Sequence, residues 1–233
     1  SSAPSSRTQH LRRESLTNEN SRHMQAYIMR QVTSMQRAAP TEFAWRSESD
    51  APKPDRLIIV DDRLRADEAM RRMRQGEWLL YCGDFHNAKQ LLSAVRRRLP
   101  VPKHSKTPLA AFRAEREARA LEHETLGRII VHLDRNYKLL LGRSPNVAQA
   151  CLDAWGPADD HVTVVPLKTL VGILGAAEWQ KKGLRVPGLP KPLTPHYGVY
   201  VPTRTDYVEL MAHVKDVKGK TVFDIGTGTG VLA

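Results

Sequence analysis

The chain has 233 residues, 41% of them hydrophobic, and a formal net charge of +11, a length that suits one full domain plus extensions with enough apolar side chains for a core. No run approaches the ~18 apolar residues that a membrane helix requires, so no membrane span is expected. Cys82 and Cys151 stand without C-x-x-C spacing, which argues against a disulfide scaffold and a zinc site and for a reducing compartment.

Residues 1–55 form a basic N-terminal extension. Residues 1–40 carry six arginines, no lysine, seven serines and only Glu14 and Glu19 as acids, the bias of an organellar transit peptide or its remnant, so a mitochondrial location is expected. Met24, Tyr27, Ile28, Val32 and Met35 recur there at helical spacing, which fits targeting amphipathicity or a docking tail held by a partner surface.

Residues 56–181 read as an α/β domain. Leu57 to Val60 is a short apolar strand, and Ala66 to Gln75 a helix ended by Gly76. Trp78 to Tyr81 is the next strand, and His86 to Leu99 a helix with Leu91, Leu92 and Val95 on one side, stopped by Pro100. After a Pro- and Lys-rich linker, Leu109 to Leu126 is a charged helix and Ile129 to Val131 a third strand. Val147 to Trp155 is a helix, Val162 to Val165 a fourth strand and Leu167 to Gln180 a helix. This alternation predicts a Rossmann-like, mainly parallel sheet covered on both faces.

Tyr81 to Asn87 lies at a strand-to-helix turn, where ligands often bind in α/β sheets. A phosphate or a base fits there, but Asp84 is more simply read as a helix cap, and Cys82 as a buried structural thiol. His123 and His132 lack metal-ligand spacing with any acid pair, so no metal site is expected. Arg96, Arg97, Arg98, Lys103 and Lys106, with Arg113 on the next helix, form a basic cluster. Cations at a helix end complement its dipole, yet so many also suit a phosphate backbone. RNA and acidic protein surfaces are therefore both candidate partners, within a large assembly.

Residues 182–233 comprise a Gly- and Pro-rich linker and a glycine turn. Val222 and Phe223 read as the end of a strand tipped by Asp224, and Gly226, Gly228 and Gly230 as a tight turn into a helix near Thr229. Glycines let a backbone approach a ligand closely, and the following helix offers unpaired N–H groups. The Asp-Ile-Gly-Thr-Gly-Thr-Gly sequence resembles motif I of the class I S-adenosylmethionine-dependent methyltransferases, and Pro195 to Leu210 resembles the segment before it in the release-factor glutamine and ribosomal-RNA enzymes. The two segments cover about 40 residues; from Arg56 to Val214 the likeness to a bacterial methyltransferase N-terminal extension is looser.

The resemblance implies that Asp224 receives the methionine ammonium and that Gly226, Thr227, Gly228 and Gly230 face the cofactor. Tyr200, Pro202 and Arg204 would line a covering loop. The family's ribose-binding acid and its Asn/Asp-Pro-Pro-aromatic segment would fall beyond Ala233, so no catalytic residue is assigned. Two expectations follow. One is a methyltransferase-like structural or assembly component of a mitochondrial complex, best exemplified by the mitochondrial ribosome or its assembly intermediate, non-catalytic as it stands. The other is the N-terminal region of a longer active enzyme that methylates RNA or a ribosomal protein. S-adenosylmethionine belongs to a full-length form, with none expected in this chain.

Overall fold

A computed structural model describes residues 43–48, 51–102, 107–158, 160–200, 204–214 and 219–232. The basic extension before residue 43, with Lys103, Lys106 and Pro202, lies outside the described residues. The chain divides into two compact units: one runs through Ala148 and includes Ala158–Leu170, and the other comprises Gln149–Pro157 and the residues from Val171 onward.

The first unit is built on a sheet of β1 (Phe43–Trp45), β2 (Leu57–Val60), β3 (Trp78–Tyr81), β4 (Ile129–Leu133) and β5 (Val162–Pro166). Strand order is β1-β5-β4-β3-β2. β2, β3 and β4 are mutually parallel, β4 and β5 are antiparallel, and β1 runs parallel to β5. The fold is thus α/β with a mostly parallel sheet, consistent with a Rossmann-like arrangement. β5 and β1 run opposite to the other three strands, and this reversal is invisible to periodicity, because an apolar run such as Val162–Val165 has the same pattern in either direction. β1 is a run of three apolar residues between polar flanks, too short for a pattern to register.

Strand residues opposite one another in the ladder share a face, so Leu80 meets Ile130 and Val164 lies beside His132. Phe43, Leu57, Leu80, Cys82, Ile130, Leu140 and Val164 form a continuous buried cluster with Trp45, Ile59 and Trp78 packed at its margin. All five residues of β4 are buried, as expected of a strand flanked by neighbours on both sides.

The helices follow their end signals. α1 (Ala66–Arg74) places Asp67 and Glu68 in its first turn and Arg71, Arg72 and Arg74 in its last, matching the helix dipole at both ends. It closes with Gly76 N–H on the Met73 carbonyl and Glu77 N–H on the Arg72 carbonyl, at 3.0 and 3.2 Å, the paired bonds of a Schellman ending. α2 (Phe85–Arg96) buries Phe85, Ala88, Leu91, Leu92 and Val95 along one stripe. α3 (Pro108–Gly127) starts with Pro108 in its first turn and a Thr107 side chain that accepts from Ala110 N–H, and it buries only Thr125 and Leu126. α1, α2 and α3 pack on one another.

The second unit holds α4 (Ala148–Trp155) from its second residue, α5 (Leu167–Lys182) from its fifth, and α6 (Asp206–Ala212). Between α5 and α6, Leu184 and Leu193 exchange two backbone hydrogen bonds of 2.8 Å, so the Gly- and Pro-rich linker is a pinned loop. No helix among the described residues is long and apolar enough to cross a membrane.

Candidate functional site

Three places carry the sequence-derived site residues: the glycine turn of the second unit and, in the first, the carboxyl ends of the parallel strands and the basic residues at the end of α2 and on α3.

In the glycine turn, Gly226, Gly228 and Gly230 have φ of 85°, 56° and 73°. These left-handed values favour glycine over any residue with a Cβ. Tyr200 lies against the turn: a Cβ at Gly228 would come within 3.2 Å of the Tyr200 Cβ. The Thr227 hydroxyl donates to the Asp224 carbonyl at 2.8 Å, and Gly230 N–H to the Thr227 carbonyl at 2.9 Å. Tyr200 and the turn residues are thus brought together. Arg204 instead pairs with Asp206 at 2.6 Å, at the start of α6.

The strand and helix expected on either side of this turn are not formed. Thr221 to Asp224 has no ladder partner and turns replace the helix from Thr229. A strand segment without a neighbour leaves its backbone groups unpaired and is marginal. Val222 and Phe223 are accordingly 60% and 81% exposed, so the apolar residues that read as a strand end stand in solvent.

At the carboxyl ends of β2 and β3, a cavity of about 620 Å³ is lined by Asp61, Asp62, Arg63, Arg72, Cys82 and Gly83, among others. Asp62 organises it. Its Oδ1 accepts from the Tyr81 hydroxyl at 2.5 Å and from Asp84 N–H at 3.0 Å. Gly83 is required by this packing, because a Cβ there would collide with the Asp62 carboxyl group, with Cγ only 2.7 Å away. Asp84 caps α2 by accepting from His86 N–H at 2.8 Å and Asn87 N–H at 3.3 Å. Its other oxygen takes the Arg143 guanidinium at 2.6 Å. Arg143 arrives from the loop after β4, at a φ of 48°, held by Phe85 N–H on the Gly142 carbonyl and Gly142 N–H on the Gly83 carbonyl.

Burial works to raise the Asp84 carboxyl, but Arg143 and the two backbone N–H groups outweigh it and hold the group below the usual carboxylate range. Burial, with Asp61 nearby, pushes the Cys82 thiol up to about 12, so it is neutral at physiological pH and unsuited to nucleophilic attack. The cap reading of Asp84 and the structural reading of Cys82 both hold. A phosphate is disfavoured at α2, since a carboxylate already occupies the N–H groups that would receive it. Among the described residues, no group of His, Cys, Asp and Glu side chains is placed to hold a metal ion.

The basic cluster is partly consumed by the fold. Arg96 pairs with Glu122 at 2.8 Å, and Arg98 with Asp67 at 2.7 Å, tying α2 to α3 and to α1. Arg97 and Arg113 are exposed and make no ion pair among the described residues. Sequence reasoning did not identify Asp62 and Arg143, whose partners lie 22 and 59 positions away. The acidic pair Asp61-Asp62 directly after an apolar strand was the available signal.

Comparison with protein-family models, with the curated proteins and with solved structures finds no match.

Proposed function

We propose that this chain carries the cofactor turn of a class I S-adenosylmethionine-dependent methyltransferase behind an α/β domain, and that the whole acts on RNA or a ribosomal protein. The observation that supports it is the turn itself: three glycines in left-handed conformations with Tyr200 against the middle one. Such a backbone offers close approach to a ligand. Asp224 would meet the methionine ammonium, with Gly226, Thr227 and Gly228 beneath the cofactor. Apolar Val222 and Phe223, now in solvent, would be buried once the strand they belong to is paired.

The test is calorimetric titration of the native protein, isolated with its partners, with S-adenosylmethionine. Micromolar binding is expected, and Gly228→Val should abolish it, because the added side chain meets Tyr200 and the backbone conformation resists it. Absence of binding heat in the native protein would overturn the cofactor reading.

A second reading is favoured by Arg97 and Arg113, which stand exposed in a chain of net charge +11. On this reading the chain is a methyltransferase-like structural or assembly component of a mitochondrial complex, with the mitochondrial ribosome the leading case, and docks through its basic surface. Copurification with ribosomal RNA, undiminished in Gly228→Val, is the outcome expected of it.

A further inference from the structure

At the end of the sheet opposite the strand-end crevice, a second cavity of about 520 Å³ opens in the first unit. It lies where β3 and β4 begin and β5 ends. Trp78, Pro52, Pro166 and Gly127 supply apolar wall, while Glu48 and Lys168 supply opposite charges. This size and this mix of apolar wall with few polar groups match small-molecule sites.

The aromatic wall is fixed in advance. Trp45 stands edge-on to Trp78, with ring centroids 5.3 Å apart and planes at 88°, and its indole N–H donates to the Ala51 carbonyl at 2.8 Å. The Arg128 guanidinium lies 5.3 Å from the Trp78 ring centroid. That cation is already spent, donating to the Gly76 carbonyl at 2.7 Å and pairing with Glu124 at 3.1 Å.

The remaining charges are not spent. Lys168 has no hydrogen bond or ion pair among the described residues, although it is half-buried. As the second residue of α5 it also opposes the helix dipole, so its position costs stability. Among the described residues Glu48 has only a long contact, from the Thr169 hydroxyl at 3.5 Å. The two line one cavity without forming a salt bridge to each other. A pure anion would satisfy Lys168 and meet repulsion from Glu48; a pure cation would do the reverse.

We propose that this cavity binds a small aromatic zwitterion of the free aromatic amino acid class, its carboxylate on Lys168, its ammonium on Glu48 and its ring on Trp78. Burial lowers the Lys168 ammonium below the usual lysine range, a cost that an incoming carboxylate removes. The site is independent of the glycine turn and stands whether or not S-adenosylmethionine binds.

The experiment is calorimetric titration of the protein with L-phenylalanine, with N-acetyl-L-phenylalanine, which lacks the ammonium, and with phenethylamine, which lacks the carboxylate. L-Phenylalanine should bind at least tenfold more tightly than either analogue. Lys168→Met should bring L-phenylalanine down to the level of phenethylamine, and Glu48→Gln should bring it down to the level of the N-acetyl compound. Gly127→Leu should block all three, since a Cβ at Gly127 meets nothing within 4 Å and a larger side chain can be built there without displacing the fold. No binding of L-phenylalanine, or binding no tighter than that of the analogues, overturns the proposal from the unaltered protein alone. Undiminished affinity in Lys168→Met overturns it as well.

Discussion

His132 is a polar side chain placed where the fold gives it nothing. It lies in β4 with no exposed surface, and neither ring nitrogen has a hydrogen-bond partner among the described residues. Burial lowers its pKa from 6.5 to about 4, with Asp134 opposing the shift. The unfolded chain therefore binds this proton below pH 6.5 while the folded chain refuses it until about pH 4. Stability contributed by the neutral ring is complete above pH 6.5 and is lost as pH falls toward 4, by on the order of 3 kcal/mol. Urea unfolding at stepped pH should show this slope, and His132→Leu should flatten it, because an apolar side chain of similar size neither titrates nor leaves polar atoms unpaired. A slope unchanged in the variant would place the titration elsewhere. Asp61, held low by Arg63, and Asp84 act in the same direction but below the usual carboxylate value of 3.8, so the two windows separate.

At the scale of elements, α2 shows how one carboxylate joins three segments. Asp84 caps the helix, receives Arg143 from the loop after β4, and gives its own N–H to Asp62 after β2. Asp84→Ala should cost about 1–2 kcal/mol, the usual loss for a cap, whereas Asp84→Asn keeps an accepting oxygen and should cost less; thermal unfolding of the pair distinguishes cap from charge. The cap itself was legible, because Asp before an apolar helical stripe is a local signal, and the same holds for Gly76 after α1; Pro108 read as the end of the linker, and α3 takes it into its first turn. Strand β2, bounded by Arg56 and Asp61, was legible by its unbroken apolar run. The antiparallel entry of β5, the Asp62 and Arg143 contacts and the cavity beside Trp78 were not, since each depends on residues far apart in sequence that only the sheet order brings together. Thr221 to Asp224 is the opposite case: the local pattern of a strand is present, but a strand also needs a partner, and that requirement is not local.

For the whole molecule, a net charge of +11 is a field acting on any polyanion, and the fold decides which cations remain to make contact. Arg96 and Arg98 are held by Glu122 and Asp67, so replacing them mixes lost binding with loosened packing among α1, α2 and α3. Arg97 and Arg113 are the clean probes, being exposed and free of ion pairs among the described residues. If this surface meets an RNA backbone, Arg97→Glu and Arg113→Glu should each weaken binding across sequences. Each should also reduce the slope of log affinity against log salt by about 1, as one fewer phosphate is neutralised. Filter binding of ribosomal RNA over a potassium chloride series reads both quantities. Unchanged slopes in both variants would remove this surface from the RNA contact, because a cation that neutralises a phosphate releases counterions and its loss must lower the slope.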